Sequence, residues 1–270
     1  MEFISSRNNP RVKEVRLLKQ ARVRRQSSLC IVEGIWHFIE AVEAWKHGGY
    51  ATLIRVFYAP NLLKSELALQ AIEDVSRMGI PSYAVEETVF RSMAEKENPQ
   101  GILALIKLRQ LTLRDLNPAE VGWIVALVEP QDPGNVGTIL RTMDAVGAQC
   151  LLMVDGGVDP FHPEITRSSM GALFWIPVIR LSFEEMIHWA AFNEVRIYGT
   201  SAHAVKLYTE IQRYERPCIL LLGSEREELT EPQRQACHEL LRLPMGGRVS
   251  SLNLAIAAGV MLYDMRNKMN

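Results

Sequence analysis

Three short polar segments in the C-terminal half carry residue types that a globular core does not need. They occupy residues 132–141, 222–225 and 243–253, and each follows a strongly apolar run. They contain a guanidinium (Arg141), a carboxylate (Glu225), and amide and hydroxyl side chains. Such groups hold polar substrates and stabilise charge that develops during a reaction. In open α/β sheets, ligands bind outside the carboxyl ends of strands, so three polar loops after three strands predict one assembled site.

The first segment combines a turn with the start of a helix. Asp132-Pro133-Gly134 has turn chemistry, and Asn135 is a favourable N-cap for a helix predicted over residues 136–147. Arg141 lies off the apolar stripe of that helix. A capping asparagine and a surface arginine would explain both residues without any chemistry. Gly137 argues against this, because glycine in a first helical turn is unfavourable unless something approaches the backbone.

The second segment, Leu222-Gly223-Ser224-Glu225, places a carboxylate directly after a buried strand. The glycine allows a ligand to approach the main chain. The alternative is an ordinary loop whose acidic residues lie at the start of a helix.

The third segment runs from Leu243 to Asn253 and leads into a terminal helix predicted over residues 251–267. Small residues at 255, 257, 258 and 259 allow that helix to pack closely against other backbone. Ser250 or Ser251 is a suitable cap, which by itself would explain the serines. Gly246-Gly247 is not a Walker phosphate loop, because the pattern Gly-x-x-x-x-Gly-Lys is absent.

In their order and their residues, the three segments resemble the three motifs of the SpoU (TrmH) family of RNA ribose 2′-O-methyltransferases. Asn135-x-Gly137-x-x-x-Arg141 resembles the first motif, residues 220–225 the second, and residues 244–253 the third. The second motif departs from the family after Glu225. Glycines usually surround the acidic residue there, whereas this chain has Arg226, Glu227 and Glu228. Loss of these glycines is expected to change the shape of the loop, which leaves its effect on cofactor affinity open, whereas Gly223 and Glu225 are retained.

The resemblance implies methyl transfer from S-adenosylmethionine to a ribose 2′-hydroxyl of RNA, without a metal. An arginine with a pKa above ~12 is a poor base. Arg141 would act either as the base or, which its high pKa favours, as a clamp that binds the adjacent phosphate and stabilises the developing alkoxide. Glu225 would orient Arg141, and Asn135 would hold the loop or the substrate. The implied catalytic set is completed by Ser251 and Asn253. The implied cofactor-binding set is Leu222, Gly223, Leu243, Met245, Ser251 and Leu252.

The chain length predicts two domains, because 270 residues exceed the usual single domain of ~100–150 residues. Residues 1–110 alternate strand and helix, which predicts a small α/β domain. That domain includes a single basic helix over residues 12–25. The polar residues 109–120 are the predicted linker. Alternation restarts in residues 121–270, where a helix is predicted over residues 231–241. The family resemblance implies a trefoil knot in this second domain and a homodimer packed through it.

The first domain is predicted to bind RNA. Its segments 5–10 and 32–34 resemble the N-terminal substrate-binding domain of the ribosomal-RNA members of the family. The net charge of the chain is −1, so the whole molecule is not an electrostatic nucleic-acid binder. A basic run between residues 7 and 25 is the local exception, and it can neutralise phosphates unless it is only a solvated helix face. The predicted RNA-binding residues are Arg7, Arg11, Lys13, Arg22, Arg24 and Arg25.

Composition excludes several other classes of protein. The four cysteines are scattered and lack metal-ligand spacing, which argues against a zinc site or a disulfide framework and fits a reducing cytoplasm. No apolar stretch suits a signal peptide or a membrane span.

The predicted substrate is 23S ribosomal RNA, because most of the length beyond a minimal catalytic domain lies before that domain. A transfer-RNA ribose methyltransferase and a non-catalytic RNA-binding protein that kept the fold are the alternatives.

Overall fold

The computed structural model describes residues 2–225 and 227–269. The first ten elements are β1 (Glu2–Ile4), α1 (Pro10–Leu17), α2 (Ala21–Ser27), β2 (Leu29–Glu33), α3 (Ile35–Lys46), β3 (Ala51–Tyr58), α4 (Glu66–Arg77), β4 (Ser82–Val85), α5 (Glu87–Met93) and β5 (Ile102–Leu108). The later elements are β6 (Trp123–Val128), α6 (Pro133–Val146), β7 (Cys150–Val154), α7 (Pro163–Ser168), β8 (Val178–Leu181), α8 (Phe183–Phe192), β9 (Arg196–Thr200), β10 (Lys206–Leu207), β11 (Cys218–Leu222), α9 (Glu231–Gln235), β12 (Glu239–Arg242) and α10 (Leu254–Lys268). None of the helices in the described ranges is long and apolar enough to cross a membrane.

The chain divides into two compact units. Unit 1 contains Met1–Arg109 and Phe161–Trp175, and unit 2 contains Gln110–Pro160 and Ile176–Asn270. The predicted α/β class is confirmed in both units, because each has a sheet covered by helices. The segment Phe161–Trp175 belongs to unit 1, although residues before and after it in sequence belong to unit 2.

Unit 1 has a five-stranded sheet in the order β1-β4-β3-β5-β2. Strand β5 is antiparallel to β2 and β3, and the other pairs are parallel. Specific hydrogen bonds hold the segment Phe161–Trp175 in this unit. His37 Nε2 lies 3.3 Å from the carbonyl oxygen of Arg167, and the amide of Tyr50 donates to the carbonyl of Phe174 at 2.7 Å.

The prediction of a single basic helix over residues 12–25 is wrong. The structure has two helices there, because α1 ends at Leu17 and α2 begins at Ala21. The reason lies in Arg24, which is only 3% exposed. Its guanidinium donates to the carbonyls of Leu18 at 2.8 Å and Lys19 at 2.9 Å. These carbonyls follow the end of α1, where no further helical turn is present to bond them.

Unit 2 is built on a seven-stranded, wholly parallel sheet in the order β10-β12-β9-β11-β6-β7-β8. Strands β6, β7 and β11 are buried along their entire length. Continuous apolar runs of this kind are typical of parallel strands covered on both faces. Cys150 and Cys218 lie in two of these strands as buried core residues, as their apolar surroundings predict. Because every strand points the same way, the loops after β6, β9, β11 and β12 leave the sheet at one edge.

Two predicted helices of unit 2 differ from the structure. The prediction of a helix over residues 231–241 is wrong beyond Gln235, where α9 ends. Residues Glu239–Arg242 form strand β12 beside β9 instead. Short apolar runs such as Leu240-Leu241 do not distinguish helix from strand by periodicity alone. The terminal helix begins at Leu254, and its cap is Asn253 rather than a serine. The Asn253 side chain accepts from the amides of Ala255 and Ile256.

Candidate functional site

The first polar segment forms the start of α6, with one change of role from the predicted one. Asp132 is the N-cap, its carboxylate accepts from the amide of Gly134 at 2.7 Å, and Pro133 occupies the first helical turn. Proline is favoured at that position because its missing N–H has no helical partner anyway. Asn135 is therefore inside the helix, 7% exposed, and its side chain is free to bond elsewhere.

A chain of hydrogen bonds joins all three polar segments at the carboxyl edge of the sheet. Asn135 Nδ2 donates to Glu225 Oε1 at 3.1 Å, and Asn253 Nδ2 donates to Asn135 Oδ1 at 2.9 Å. Glu225 also accepts from the backbone amides of Gln131 at 2.9 Å and Asp132 at 3.2 Å. The predicted meeting of the three segments in one place is thus present in the structure.

The Glu225 carboxylate is held in its charged form. Burial raises the pKa of Glu225, whereas hydrogen bonds from Gln131, Asn135 and Asp132 lower it, and the net pKa shift is downward. A charged acceptor strengthens each of these hydrogen bonds. Glu225 therefore ties the loop after β6 to the loop after β11.

A cavity of about 590 Å³ lies beside this network. That volume is within the range of roughly 300–1,000 Å³ that is usual for small-molecule sites. Its apolar lining comes from Leu222, Leu243, Met245, Leu252, Leu254 and Ala257, and its polar lining includes Thr200, Ser201, His203, Ser224, Glu225, Glu228, Ser250, Ser251 and Asn253. The mixture suits a ligand that has one apolar ring system and several polar groups.

Gly223 shapes the loop that closes one side of the cavity. A Cβ atom there would lie 2.8 Å from the amide nitrogen of Leu229 and 3.0 Å from the carbonyl carbon of Glu228. Real Cβ atoms do not approach backbone so closely, so the loop needs glycine at this position. The hydroxyl of Ser224 accepts from the amide of Glu227 at 3.0 Å and donates to its carbonyl at 3.1 Å, which completes a tight turn.

Most of the predicted site residues lie at this cavity. The six predicted cofactor residues all line it: Leu222, Gly223, Leu243, Met245, Ser251 and Leu252. Glu225 and Asn253 line it as well, and Asn135 contacts both of them. Arg226, one of the departures from the second motif, lies outside the described residues.

Arg141 is not part of this arrangement. It is exposed on α6, off the buried stripe, and has no ion pair or hydrogen bond with residues 2–225 or 227–269. The expected contact with Glu225 is absent because Arg141 follows Asn135 by six residues. It therefore lies about 9 Å further along the helix and on another face. Glu225 is occupied by the loop amides and by Asn135 instead.

Sequence reasoning missed a fourth loop, which follows β9. Thr200, Ser201, Ala202 and His203 line the cavity. Ser201 is buried, and its hydroxyl donates to Glu228 Oε2 at 2.9 Å. The signal was available, because these residues form a polar stretch after a predicted strand, as the other segments do.

The predicted RNA-binding residues fall into three groups. Lys13, Arg22 and Arg25 are exposed, and Arg16, which belongs to the same basic run, is exposed too. Arg24 is buried and bonded to backbone carbonyls, so its assignment to RNA binding is wrong.

The two remaining predicted RNA-binding residues have partners within unit 1. Arg7 donates to the carbonyl of Thr88 at 3.3 Å. Arg11 pairs with Glu2 at 2.8 Å and lies over the Tyr83 ring, 4.6 Å from its centroid. Both side chains are therefore positioned by contacts within unit 1.

Comparison with known proteins decides the family. The model of the SpoU rRNA Methylase family matches residues 122–263, which is more than half of the chain. The chain belongs to the SpoU rRNA methylase family. A second model, described as an MRM3-like substrate binding domain, matches residues 9–104. The family predicted from the three motifs is thereby confirmed.

Relatives of this SpoU methylase match it along nearly its whole length. A Bacillus subtilis 23S rRNA guanosine 2′-O-methyltransferase is 30% identical, over 98% of this chain and 100% of its own. A Synechocystis protein named as an uncharacterized tRNA/rRNA methyltransferase is 31% identical, over 98% and 93%. The solved structure of an AdoMet-bound rRNA methyltransferase from Sinorhizobium meliloti has a TM-score of 0.88 and 32% identity, with 98% of this chain and 97% of that chain covered.

Proposed function

We propose that this SpoU methylase transfers a methyl group from S-adenosylmethionine to a ribose 2′-hydroxyl of 23S ribosomal RNA. The observation that carries the proposal is the joining of all three motifs by the Asn253–Asn135–Glu225 hydrogen bonds beside a cavity of about 590 Å³. The names of the Bacillus and Sinorhizobium proteins support ribosomal RNA as the substrate.

The cavity fits the proposed cofactor in both size and chemistry. Apolar side chains at Leu222, Leu243 and Leu252 suit an adenine ring, and the thioether of Met245 is compatible with the sulfur-bearing chain. Hydroxyl and carboxylate groups on the other walls suit the ribose and the amino-acid part. When bound, S-adenosylmethionine supplies a methyl group that the sulfonium already activates.

The protein residues therefore need to position the ribose and stabilise its oxygen. Glu225 and Asn135 hold the loop after β6 against the cavity, which fixes the start of α6. Arg141 extends from the same helix with its guanidinium unpaired among the described residues. We infer that this guanidinium binds the phosphate next to the reacting ribose and stabilises the alkoxide that develops as the hydroxyl proton passes to solvent. The oxygen–methyl bond forms as the sulfur–methyl bond breaks, and S-adenosylhomocysteine leaves. Ser251, which lines the cavity, completes the substrate side of the site.

The identity of the acceptor RNA tests this proposal. Ribosomal RNA and transfer RNA from cells that lack the protein would each be incubated with the purified protein and methyl-labelled S-adenosylmethionine. We expect label in 23S ribosomal RNA and none in transfer RNA. Label in transfer RNA alone would support the transfer-RNA alternative. Cofactor binding without transfer to either RNA would contradict the proposed reaction.

We infer that unit 1 captures the RNA through the exposed part of its basic run. Changing Lys13, Arg22 and Arg25 together to glutamine is expected to weaken RNA binding. The slope of the logarithm of the binding constant against the logarithm of the salt concentration should fall in magnitude by roughly two units. Each lost phosphate contact removes roughly 0.7–0.9 from that slope. Binding isotherms at several salt concentrations measure both quantities, and S-adenosylmethionine affinity should not change.

A matched variant controls for the loss of charge alone. Lys46, Lys64 and Lys107 are exposed residues of unit 1 outside the basic run. Their joint change to glutamine alters net charge equally and is expected to leave the salt slope near that of the wild type. Equal effects of the two triple variants would show that the basic run is only a solvated helix face.

We infer a homodimer that uses the exposed apolar face of α10. Ile256 is 57% exposed and Tyr263 is 51% exposed, and their spacing puts them on the same side of the helix. Changing both to aspartate is expected to give a monomer in sedimentation analysis. Phe192→Asp alters an 88% exposed side chain on α8 and should leave the dimer intact. A monomeric wild type would contradict the inference.

We further infer that the protein acts in the cytoplasm. Its proposed substrate is ribosomal RNA, and the thiols of Cys150, Cys218 and Cys237 are free. Unpaired thiols are usual in a reducing compartment.

A further inference from the structure

Glu228 lies where the resembled motif usually has a glycine, yet the backbone there has no need of one. Glu228 does not have a positive φ. Within the described ranges, the non-glycine residues that do are Ser28, Glu129, Asp155, Met170 and Glu194. The side chain therefore adds no backbone strain to the loop. Its effect on the cavity depends on where the carboxylate lies.

The carboxylate of Glu228 is fixed at the wall of the cavity. The buried hydroxyl of Ser201, on the loop after β9, donates to Glu228 Oε2 at 2.9 Å. The Ser201 oxygen also accepts from the amide of His203 at 3.2 Å. Since the backbone of Glu228 packs against Gly223, both ends of this side chain are positioned. Its second oxygen, Oε1, has no hydrogen-bond partner within residues 2–225 and 227–269 and can accept from a ligand.

A carboxylate at the wall of such a cavity can accept hydrogen bonds from donors on the ligand. A nucleoside offers two adjacent hydroxyl donors on its ribose. In doubly wound α/β folds, an acidic side chain near the carboxyl ends of the strands commonly accepts from these ribose hydroxyls. Glu228 follows the end of β11 by six residues and lies at this same edge of the sheet. Ribose recognition is therefore the role that suits its position and its hydrogen-bonding state.

We propose that Glu228, held by Ser201, accepts hydrogen bonds from the ribose hydroxyls of the cofactor and so strengthens its binding. This inference rests on the proposed function, since it takes the cavity to be the S-adenosylmethionine site. It answers the question that the missing motif glycine leaves open, because it gives the side chain at this position a role in binding the cofactor. Replacing Glu228 by glycine should weaken binding instead of tightening it.

Calorimetry with two nucleosides tests the assignment without any methyl transfer. S-adenosylhomocysteine carries both the ribose and the amino-acid part, whereas 5′-methylthioadenosine carries the ribose without the amino acid. Glu228→Gln is expected to weaken both by roughly ten- to a hundredfold, because the lost hydrogen bonds have a charged acceptor. Glu231→Gln changes net charge equally three residues further on, outside the cavity lining, and should bind both as the wild type does.

Each other outcome has a distinct meaning. Loss of S-adenosylhomocysteine affinity alone would assign Glu228 to the α-ammonium group and overturn ribose recognition. Unchanged affinity for both nucleosides in Glu228→Gln, or tighter binding in Glu228→Gly, would overturn the role of Glu228 while leaving the cofactor site in place. A wild-type protein that binds neither nucleoside would contradict the proposed function itself.

Discussion

Replacement of Arg141 by alanine is expected to lower methyl transfer by roughly a hundred- to a thousandfold, as loss of a group that stabilises transition-state charge usually does. Arg141 is exposed and bonds to no described residue, so the free energy of unfolding should change by less than about 0.5 kcal/mol. S-adenosylmethionine affinity should change by no more than a few fold, because Arg141 does not line the cavity. Single-turnover kinetics and calorimetry on the same preparation separate the two effects.

Two further variants sharpen the test of Arg141. Arg141→Lys keeps the charge but replaces a planar two-pronged donor by a single ammonium, and it is expected to fail as well. Arg180→Ala removes an exposed arginine from β8, at the far end of the sheet from β12, and should leave the rate unchanged. Wild-type turnover in Arg141→Ala would remove Arg141 from the mechanism.

Replacement of Glu225 by alanine is expected to reduce both stability and turnover. The buried amide of Asn135 would lose its acceptor, at a cost of about 1–3 kcal/mol in the free energy of unfolding. The loop after β6 would lose both of its bonds to Glu225, and misplacement of reacting groups by about 1 Å lowers rates roughly a hundredfold. Chemical denaturation and turnover measurements give the two numbers. Glu184→Ala, an exposed acid in the first turn of α8, is the control.

The contribution of Glu225 should depend on pH in a defined direction. Its pKa in the folded protein lies below the ordinary value of 4.5. The folded state therefore binds the proton less readily than the unfolded state, and the stabilisation is fully present above pH 4.5. It is lost as pH falls through the lowered pKa. The difference in unfolding free energy between the wild type and Glu225→Ala should stay constant from pH 7 to about 5 and then shrink. A difference that grows as the solution becomes more acidic would contradict the downward shift.

The parts of the fold that follow from local pattern were predictable. Strands β6, β7 and β11 are continuous apolar runs, and such runs between polar loops have few other outcomes in an α/β protein. The α/β class and the family were predicted and are confirmed. The assignments of individual catalytic and cofactor residues, and the domain boundaries, stay predictions.

The incorrect parts depended on contacts between residues distant in sequence. Asp132 and Asn135 are both good caps, but the helix begins at Pro133 with Asp132 as its cap, and the side chain of Asn135 bonds instead to Glu225, ninety positions later, and to Asn253. Arg24 resembles any other residue of a basic run until its carbonyl partners are known. Glu228 could only be counted as a departure from a motif, because its partner Ser201 lies on a different loop. Local propensity does not contain this information.

Mapping of ribose methylation in cells tests the central claim most directly. Ribosomal RNA from a strain that lacks the gene would be compared with that of the parent strain by mass spectrometry of nuclease fragments. We predict one 2′-O-methylated nucleotide of 23S ribosomal RNA that is absent from the deletion strain. It should return with the wild-type protein and fail to return with Arg141→Ala. Identical ribose methylation of 23S ribosomal RNA in both strains would contradict the proposed function.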